Sequence, residues 1–330
     1  MSLLQAIILG IVQGLTEFIP ISSTAHLIFA SRLTGLYEGV EQTLRAEQTT
    51  ATIAVIQLGT LAAVFVYFAR DIWVISYAFV RDHLALLRGQ RRSESAHVAN
   101  GPVAPATARL SEEARLGWLI IIGSIPIGVV GLLFKSQIEG TDTKNLWLIA
   151  TMMIVIALLL VVAERVSKHE RSMSDLSLRD ALVVGGAQVL SLIPGASRSG
   201  STILGGLLAG ETRETAARFS FLLSIPAITA SGLLQLKEAM VKLPEGSALP
   251  LVVATVVSGV VGYASIWFLL RFLRKHSTGI FIVYRLVVGV ALLLLLSRGV
   301  IQPLDGGART SAPTAQTVST SPSHSRVASR

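Results

Sequence analysis

Pro194-Gly195-Ala196-Ser197-Arg198-Ser199-Gly200-Ser201-Thr202 sets a proline-glycine break and a cluster of small hydroxyl residues around one arginine, inside a chain that is otherwise apolar. A lone charge at the centre of a bilayer costs about 2.5 to 3.5 kcal/mol on insertion scales, so such a residue faces a cavity, a partner or a ligand. Small residues let backbone approach a ligand closely, and hydroxyls and N–H groups beside a guanidinium fork suit phosphate oxygens. The stretch reads as a phosphate-binding loop at membrane depth, against the competing reading of a polar turn joining two helices.

The surrounding composition fixes the setting. Of 330 residues, 52% are hydrophobic and 15% charged, with no cysteine, so disulfides and thiolate metal sites are excluded. Six windows approach the length needed to cross a bilayer: Thr52 to Phe68, Leu116 to Phe134, Leu146 to Ala163, Phe219 to Leu236 with Pro226 midway, Leu249 to Leu270, and Ile280 to Leu296. The start lacks the basic region of a signal peptide and carries Glu17, so it is read as mature structure. The net charge of +8 sits in loops between spans, which is a topology signature and argues against a nucleic-acid partner.

Leu3 to Phe18 is apolar but interrupted by Gln13 and Glu17, broken at Pro20, and followed by Ser22-Ser23-Thr24-Ala25-His26. Neither half is long enough to span. The pattern predicts two half-helices meeting at a polar turn, which a membrane tolerates only where protein covers the break or a cavity receives it. Ser31 to Thr50 follows as a polar connection, helical near Glu41 to Thr50. Arg70 to Arg115, with seven arginines, reads as a cytoplasmic loop whose centre, Gly101 to Ala106, is a flexible linker. Glu164 to Asp180 and Arg271 to Lys275 are the other basic, cytoplasmic connections, while Lys135 to Lys144 and Leu236 to Ala248 fall outside. The tail, 301–330, rich in Ser, Thr, Ala and Pro, reads as disordered.

These sides make the two broken segments enter from opposite faces. Sliding the chain by 175 positions lays Ala6, Gly10, Gln13 and Leu15 on Ala181, Gly185, Gln188 and Leu190; one deletion later, Pro20 and Ser23 fall on Pro194 and Ser197. The expectation is an all-α polytopic membrane protein, one domain over 1–300, built as an inverted-topology repeat (about 3–163 and 178–298). It would hold two re-entrant helix-loop-helix segments and about six transmembrane helices, with its site where the broken helices meet.

The two halves bring different chemistry. Gln13 and Glu17 lie four apart, hence on one helix face, and a buried carboxylate must pair with a cation, stay protonated or hold a metal such as Mg²⁺ or Ca²⁺. A structural Glu17–Arg198 pair is the plainer alternative, and it too places the breaks together. His26, three residues after Ser23, is expected within reach of that hydroxyl, so that His26 or Glu17 could activate Ser23 or a water. Arg198 would hold phosphate and offset charge in phosphoryl transfer, with Ser197, Ser199, Ser201 and Thr202 as further oxygen contacts. Ile203 to Gly210 lacks a Walker lysine and reads as close helix packing.

With these residues in place, the sequence resembles the undecaprenyl-diphosphate phosphatase family, the bacterial membrane enzymes linked to bacitracin resistance. The resemblance rests on Gln13 to His26, Val55-Ile56-Gln57-Leu58-Gly59, Pro194 to Thr202 and Phe219-Ser220-Phe221-Leu222-Leu223, and runs from about Leu3 to Leu296. It implies hydrolysis of undecaprenyl diphosphate to undecaprenyl phosphate and inorganic phosphate, recycling the lipid carrier for peptidoglycan. It further implies a divalent cation held by Glu17 and a multi-pass protein of the bacterial inner membrane whose site faces the periplasm or exterior. It transfers roles to Glu17, Ser23, His26, Ser197 and Arg198, with Glu17, Ser23, His26 and Arg198 expected to be catalytic; Gln13, Ser22, Thr24, Ser197, Ser199, Ser201 and Thr202 are the expected substrate contacts. The acidic pair of the motif maps onto Gln13 and Glu17, so here its first member is an amide. The partners implied are the polyprenyl diphosphate and membrane lipids, and the pattern leaves room for a homodimer. Inverted repeats also build secondary transporters, so transport of a lipid phosphate or another anion is the alternative.

Overall fold

A computed structural model describes residues 1–88, 110–134, 145–243 and 246–301. The chain forms helices α1 (Leu3–Phe18), α2 (Ser23–Leu33), α3 (Gln42–Tyr67), α4 (Ala69–Leu87), α5 (Glu112–Leu133), α6 (Leu146–Val166), α7 (Leu178–Val189), α8 (Arg198–Leu208), α9 (Arg213–Lys242), α10 (Ala248–Leu273) and α11 (Gly279–Ser297). Single 3₁₀ turns cover Met173–Asp175 and Leu190–Leu192. No strand occurs among the described residues. The Gly101 to Ala106 linker, the Lys135 to Lys144 turn and the tail from 302 onward lie outside the described residues.

Six helices are long and apolar enough to cross a membrane: α3 over Glu47–Tyr67, α5, α6, α9 over Arg213–Leu233, α10 and α11. Each coincides with an expected window. Their outer faces carry exposed Leu158, Val162, Val252, Val256, Val260, Val283 and Val287, an arrangement that fits lipid rather than water. Pro126 and Pro226 sit inside α5 and α9, as neighbouring helices in a bundle allow.

Two connections differ from expectation. Arg70 to Arg115 does not begin as a loop: α4 starts at Ala69, one residue after α3 stops at Phe68, and runs to Leu87. Trp73, Tyr77, Val80, Leu84 and Leu87 are exposed along it, while Asp82 is buried and accepts from Arg81 and from the Ser111 N–H at 2.8 Å. That bond ties α4 to the start of α5; the basic residues had masked the helical spacing of the apolar ones. Likewise, α9 continues to Lys242, so the turn expected from Leu236 is shorter.

Ion pairs show which helix ends share a side. Glu164, near the end of α6, accepts from Arg213 Nη2 at 2.6 Å and from the N–H and hydroxyl of Thr278 at 2.8 and 2.7 Å. Asp71 on α4 pairs with Arg218 on α9, and Glu214 with Arg274 after α10. The ends of α3, α6 and α10 and the starts of α9 and α11 therefore lie together. The Glu164–Arg213 pair is only partly buried, so removing one partner costs less than the roughly 3 to 5 kcal/mol of a fully buried pair.

Close helix packing then orients the two short helices. A Cβ at Gly10 would lie 2.6 Å from the Ala254 carbonyl oxygen, one at Gly14 2.8 Å from that of Ser258, and Phe18 reaches Gly262. So α1 runs alongside α10 in the same direction, entering from the side opposite the ion pairs and stopping midway. A Cβ at Gly123 would meet the Ala181 carbonyl oxygen at 2.9 Å, and Arg115 bonds the Ser174 carbonyl, so α7 starts beside the first turns of α5, at the ion-paired side. The two helices enter from opposite faces. Between them lies an aromatic and aliphatic core in which Phe18 meets Phe221 edge to face at 5.4 Å, packed with Phe68, Ala196, Ile203 and Leu207.

The two breaks are built alike, with one correction to their register. Ser22 and Ser197 are the residues preceding two 11-residue helices, α2 and α8, and both have positive φ, 76° and 71°. The structural offset therefore stays at 175: Ser22 corresponds to Ser197 and Ser23 to Arg198, not Ser23 to Ser197. The prolines fall one place out of register because the second break is one residue longer between its proline and its helix. Gly195, at φ +93° against Ile149, takes up that extra residue, a conformation open to glycine.

Candidate active site

The breaks end on helix N-termini. α2 begins at Ser23 and α8 at Arg198, and both starts line one cavity of about 560 Å³. Orphan N–H groups and the positive end of the helix dipole favour an anion at such a start, and here two converge. Gln13, Glu17, Ser23, Thr24, Ser197 and Arg198 line the floor, and Ile53, Gln57, Ile127, Gly128, Leu132, Pro226 and Ala230 line the walls.

Glu17 and Arg198 are joined across the repeats by an ion pair through Glu17 Oε1 and Arg198 Nη2, with both side chains largely buried. Gln13 Nε2 donates to Glu17 Oε2 at 3.1 Å and lies 3.4 Å from Thr60 Oγ1, so the four-residue spacing does place amide and carboxylate together. Gln13 Oε1 is buried without a hydrogen-bond partner. Ser199 Oγ lies 3.3 Å from both the Glu17 and the Ile19 carbonyl oxygens, pinning α8 to the end of α1. Ser197 Oγ caps α8 by accepting from the Gly200 N–H at 3.2 Å.

Other expected contacts are placed elsewhere. Thr202 is buried and bonded to Ser220 and the Arg198 carbonyl; Ser201 is fully buried; Ser22 is buried without a side-chain partner. None of the three lines the cavity. His26 is not beside Ser23 as the spacing suggested. Its Nδ1 donates to the Ser22 carbonyl at 2.7 Å, its Nε2 accepts from the Tyr284 hydroxyl at 2.7 Å, and its ring stacks on Tyr284 at 5.6 Å. Both nitrogens are engaged by groups other than Ser23, and of the two residues it is Ser23 that lines the cavity.

A divalent cation fits this donor set only in part. Among the described residues no group of three His, Asp or Glu side chains gathers, so Glu17 is the one carboxylate at the site. The orphaned Gln13 Oε1 beside it is a second hard oxygen donor, and Mg²⁺ is commonly held by one or two carboxylates with substrate phosphates completing its shell. Three participants escaped the sequence reading: Thr60, Tyr284 and Arg285. The last had a signal available, a charged residue in the middle of an apolar window.

A family model described as bacitracin resistance protein BacA matches residues 6–291. A curated protein of Syntrophobacter fumaroxidans named undecaprenyl-diphosphatase is 50% identical over 298 residues, covering 90% of this chain and 99% of its own. Proteins with the same name from Myxococcus xanthus and Nocardia farcinica are 44% and 45% identical, covering 93% and 91% of this chain and 93% and 98% of their own.

Proposed function

The chain belongs to the bacitracin resistance protein BacA family, and from that membership we propose that it is a membrane undecaprenyl-diphosphatase. It would release inorganic phosphate from undecaprenyl diphosphate, return undecaprenyl phosphate to cell-wall synthesis and thereby confer bacitracin resistance. The observation that carries the reading is the Glu17–Arg198 pair, one residue from each broken segment, between two helix N-termini in a cavity whose walls are mostly apolar. A diphosphate head fits that floor, and a long isoprenoid tail fits those walls.

In this reading Arg198 and the α2 and α8 N–H groups bind the terminal phosphate and offset the charge that spreads over its oxygens during transfer. Ser23 is the attacking group, because it is the first residue of α2, lines the cavity and has no hydrogen-bond partner for its hydroxyl among the described residues. A bond forms between Ser23 Oγ and the terminal phosphorus as the anhydride P–O bond breaks, undecaprenyl phosphate leaves, and the serine proton passes to a neighbouring base. Water then cleaves the phosphoserine, giving inorganic phosphate. Glu17 and His26 are the groups available to hold those protons; His26 reaches Ser23 by giving up the Tyr284 hydroxyl, since residues three apart share a helix face. A bound Mg²⁺ or Ca²⁺ would be held by Glu17, Gln13 Oε1 and phosphate oxygens, and would supply further neutralisation of the diphosphate. The charge distribution supports a site opening to the face opposite the basic ion-paired ends, the periplasmic side of an inner membrane.

The test is phosphate release from undecaprenyl diphosphate by purified protein, with Mg²⁺, Ca²⁺ or chelator, for wild type and for Glu17→Ala, Arg198→Ala and Ser23→Ala. Metal-dependent release, lost by at least about 100-fold in each folded variant, is expected. Silence of well-folded wild type would sink the enzyme reading in favour of transport. Retention of more than a tenth of turnover by Ser23→Ala would move the attack to water.

A further inference from the structure

Arg285, within α11, is fully buried and is the largest such side chain among the described residues. A guanidinium at that depth ordinarily finds a carboxylate. Here, among the described residues, no carboxylate lies within ion-pairing distance of it, and it is surrounded by carbonyl oxygens instead. Nη1 donates to Pro20 at 3.2 Å; Nη2 lies 3.0, 3.1 and 3.4 Å from the Gly195, Ala196 and Met152 oxygens; Nε donates to Met153 at 3.1 Å. Pro20 belongs to the first break, and Gly195 and Ala196 to the second. One side chain from a third element thus clasps both breaks, from the side away from the cavity.

The peptide bonds are all trans, and in a trans unit the N–H points opposite to the C=O. Holding the Ala196 carbonyl on the guanidinium turns the Ser197 N–H the other way, to the side on which Ser197 lines the cavity. The charge also acts at short range. A Cβ on Gly200, in the first turn of α8, would stand 3.3 Å from Nη1, so the guanidinium lies directly behind the helix start that faces the anion. Carbonyl dipoles solvate that charge without cancelling it.

We propose that Arg285 is a positioning residue for diphosphate turnover: its fork sets the two breaks against each other, and its uncancelled charge strengthens the anion site from behind. The inference deepens the phosphatase reading, on which its kinetic arm rests, by adding the residue that holds the two half-sites in register. A lysine would keep the charge but could not hold Pro20, Gly195 and Ala196 at once, because it is a point charge rather than a planar fork. A methionine would keep the bulk and lose both.

The experiment compares wild type, Arg285→Lys and Arg285→Met in detergent, each normalised to its monodisperse fraction. Two readouts are taken: kcat and KM for undecaprenyl diphosphate, and binding of inorganic pyrophosphate read as a shift in thermal unfolding. For Arg285→Lys the expected result is a kcat at least tenfold lower, with pyrophosphate affinity within about threefold of wild type. For Arg285→Met both should fall, affinity by at least about tenfold. Folded variants with wild-type kcat, KM and pyrophosphate binding would overturn the proposal. If Arg285→Met fails to fold, Arg285→Lys decides by the same criteria; if neither folds, the residue is architectural and the proposal is overturned. The binding arm does not depend on the lipid, so wild type that binds pyrophosphate but releases no phosphate would refute the phosphatase reading alone.

Discussion

At the scale of single residues, His26 and Ser23 show what spacing conveys and what it leaves out. Three positions apart on a helix puts two side chains on one face, but the ring nitrogens go to the Ser22 carbonyl and to Tyr284, a residue 258 positions away. Local periodicity carries no information about a partner on the last span. If His26 serves Ser23 by releasing that hydroxyl, Tyr284→Phe removes a competing bond and should leave kcat within about threefold of wild type, whereas His26→Ala should lower it by about 100-fold or more. A Tyr284→Phe loss as large as that of His26→Ala would mean that the Tyr284-bound orientation is the active one. Glu17 and Arg198 were legible for a different reason: each is a charge that hydrocarbon would punish, so the sequence alone demanded a partner for both.

At the scale of elements, the elbow between α8 and α9 holds a group that no motif announced. Glu211 is fully buried, and neither carboxylate oxygen has a hydrogen-bond partner among the described residues. Its neighbours are Asp180, whose own oxygens are taken by Arg171 and Ser177, and Gly206, where a Cβ would come within 2.6 Å of Glu211 Oε2. Burial, reinforced by the Asp180 charge and opposed by Arg171, pushes the Glu211 carboxyl from its ordinary 4.5 up to about 8. The folded protein then keeps a proton that the unfolded chain gives up, so stability declines as pH rises between those two values and levels off above the upper one. The decline is at most about 1.4 kcal/mol per pH unit. Glu211→Gln should remove this contribution, leaving the variant with a higher unfolding midpoint than wild type at pH about 8 and little difference near the ordinary carboxyl range. Parallel midpoints across that range would show that Glu211 is ionised throughout. The spans were readable from apolar length, but α4 was not, because it was read together with the arginine-rich stretch that follows it, although only Arg70 and Arg81 lie within the helix.

At the scale of the whole molecule, the site is a floor made by two breaks beneath walls made by α3, α5 and α9. On α5 a Cβ at Gly128 would meet nothing within 4 Å, so that stretch of wall is open. Filling it should discriminate by substrate length. Gly128→Phe is expected to lower kcat/KM for undecaprenyl diphosphate by about tenfold or more while sparing a short isoprenyl diphosphate, measured side by side. Equal losses on both would place the lipid elsewhere. The opposed entry of α1 and α7 was visible in the sequence as a repeat flanked by basic connections. The register at the breaks was not, since matching prolines suggested a deletion where the structure keeps one offset throughout and the second proline stands one residue earlier in its break. Corrected, Ser23 stands opposite Arg198, while Leu192 stands opposite Glu17. Glu17 comes from the first half and Arg198 from the second, so neither half carries a complete site, and the two halves behave as unlike subunits joined in one polypeptide.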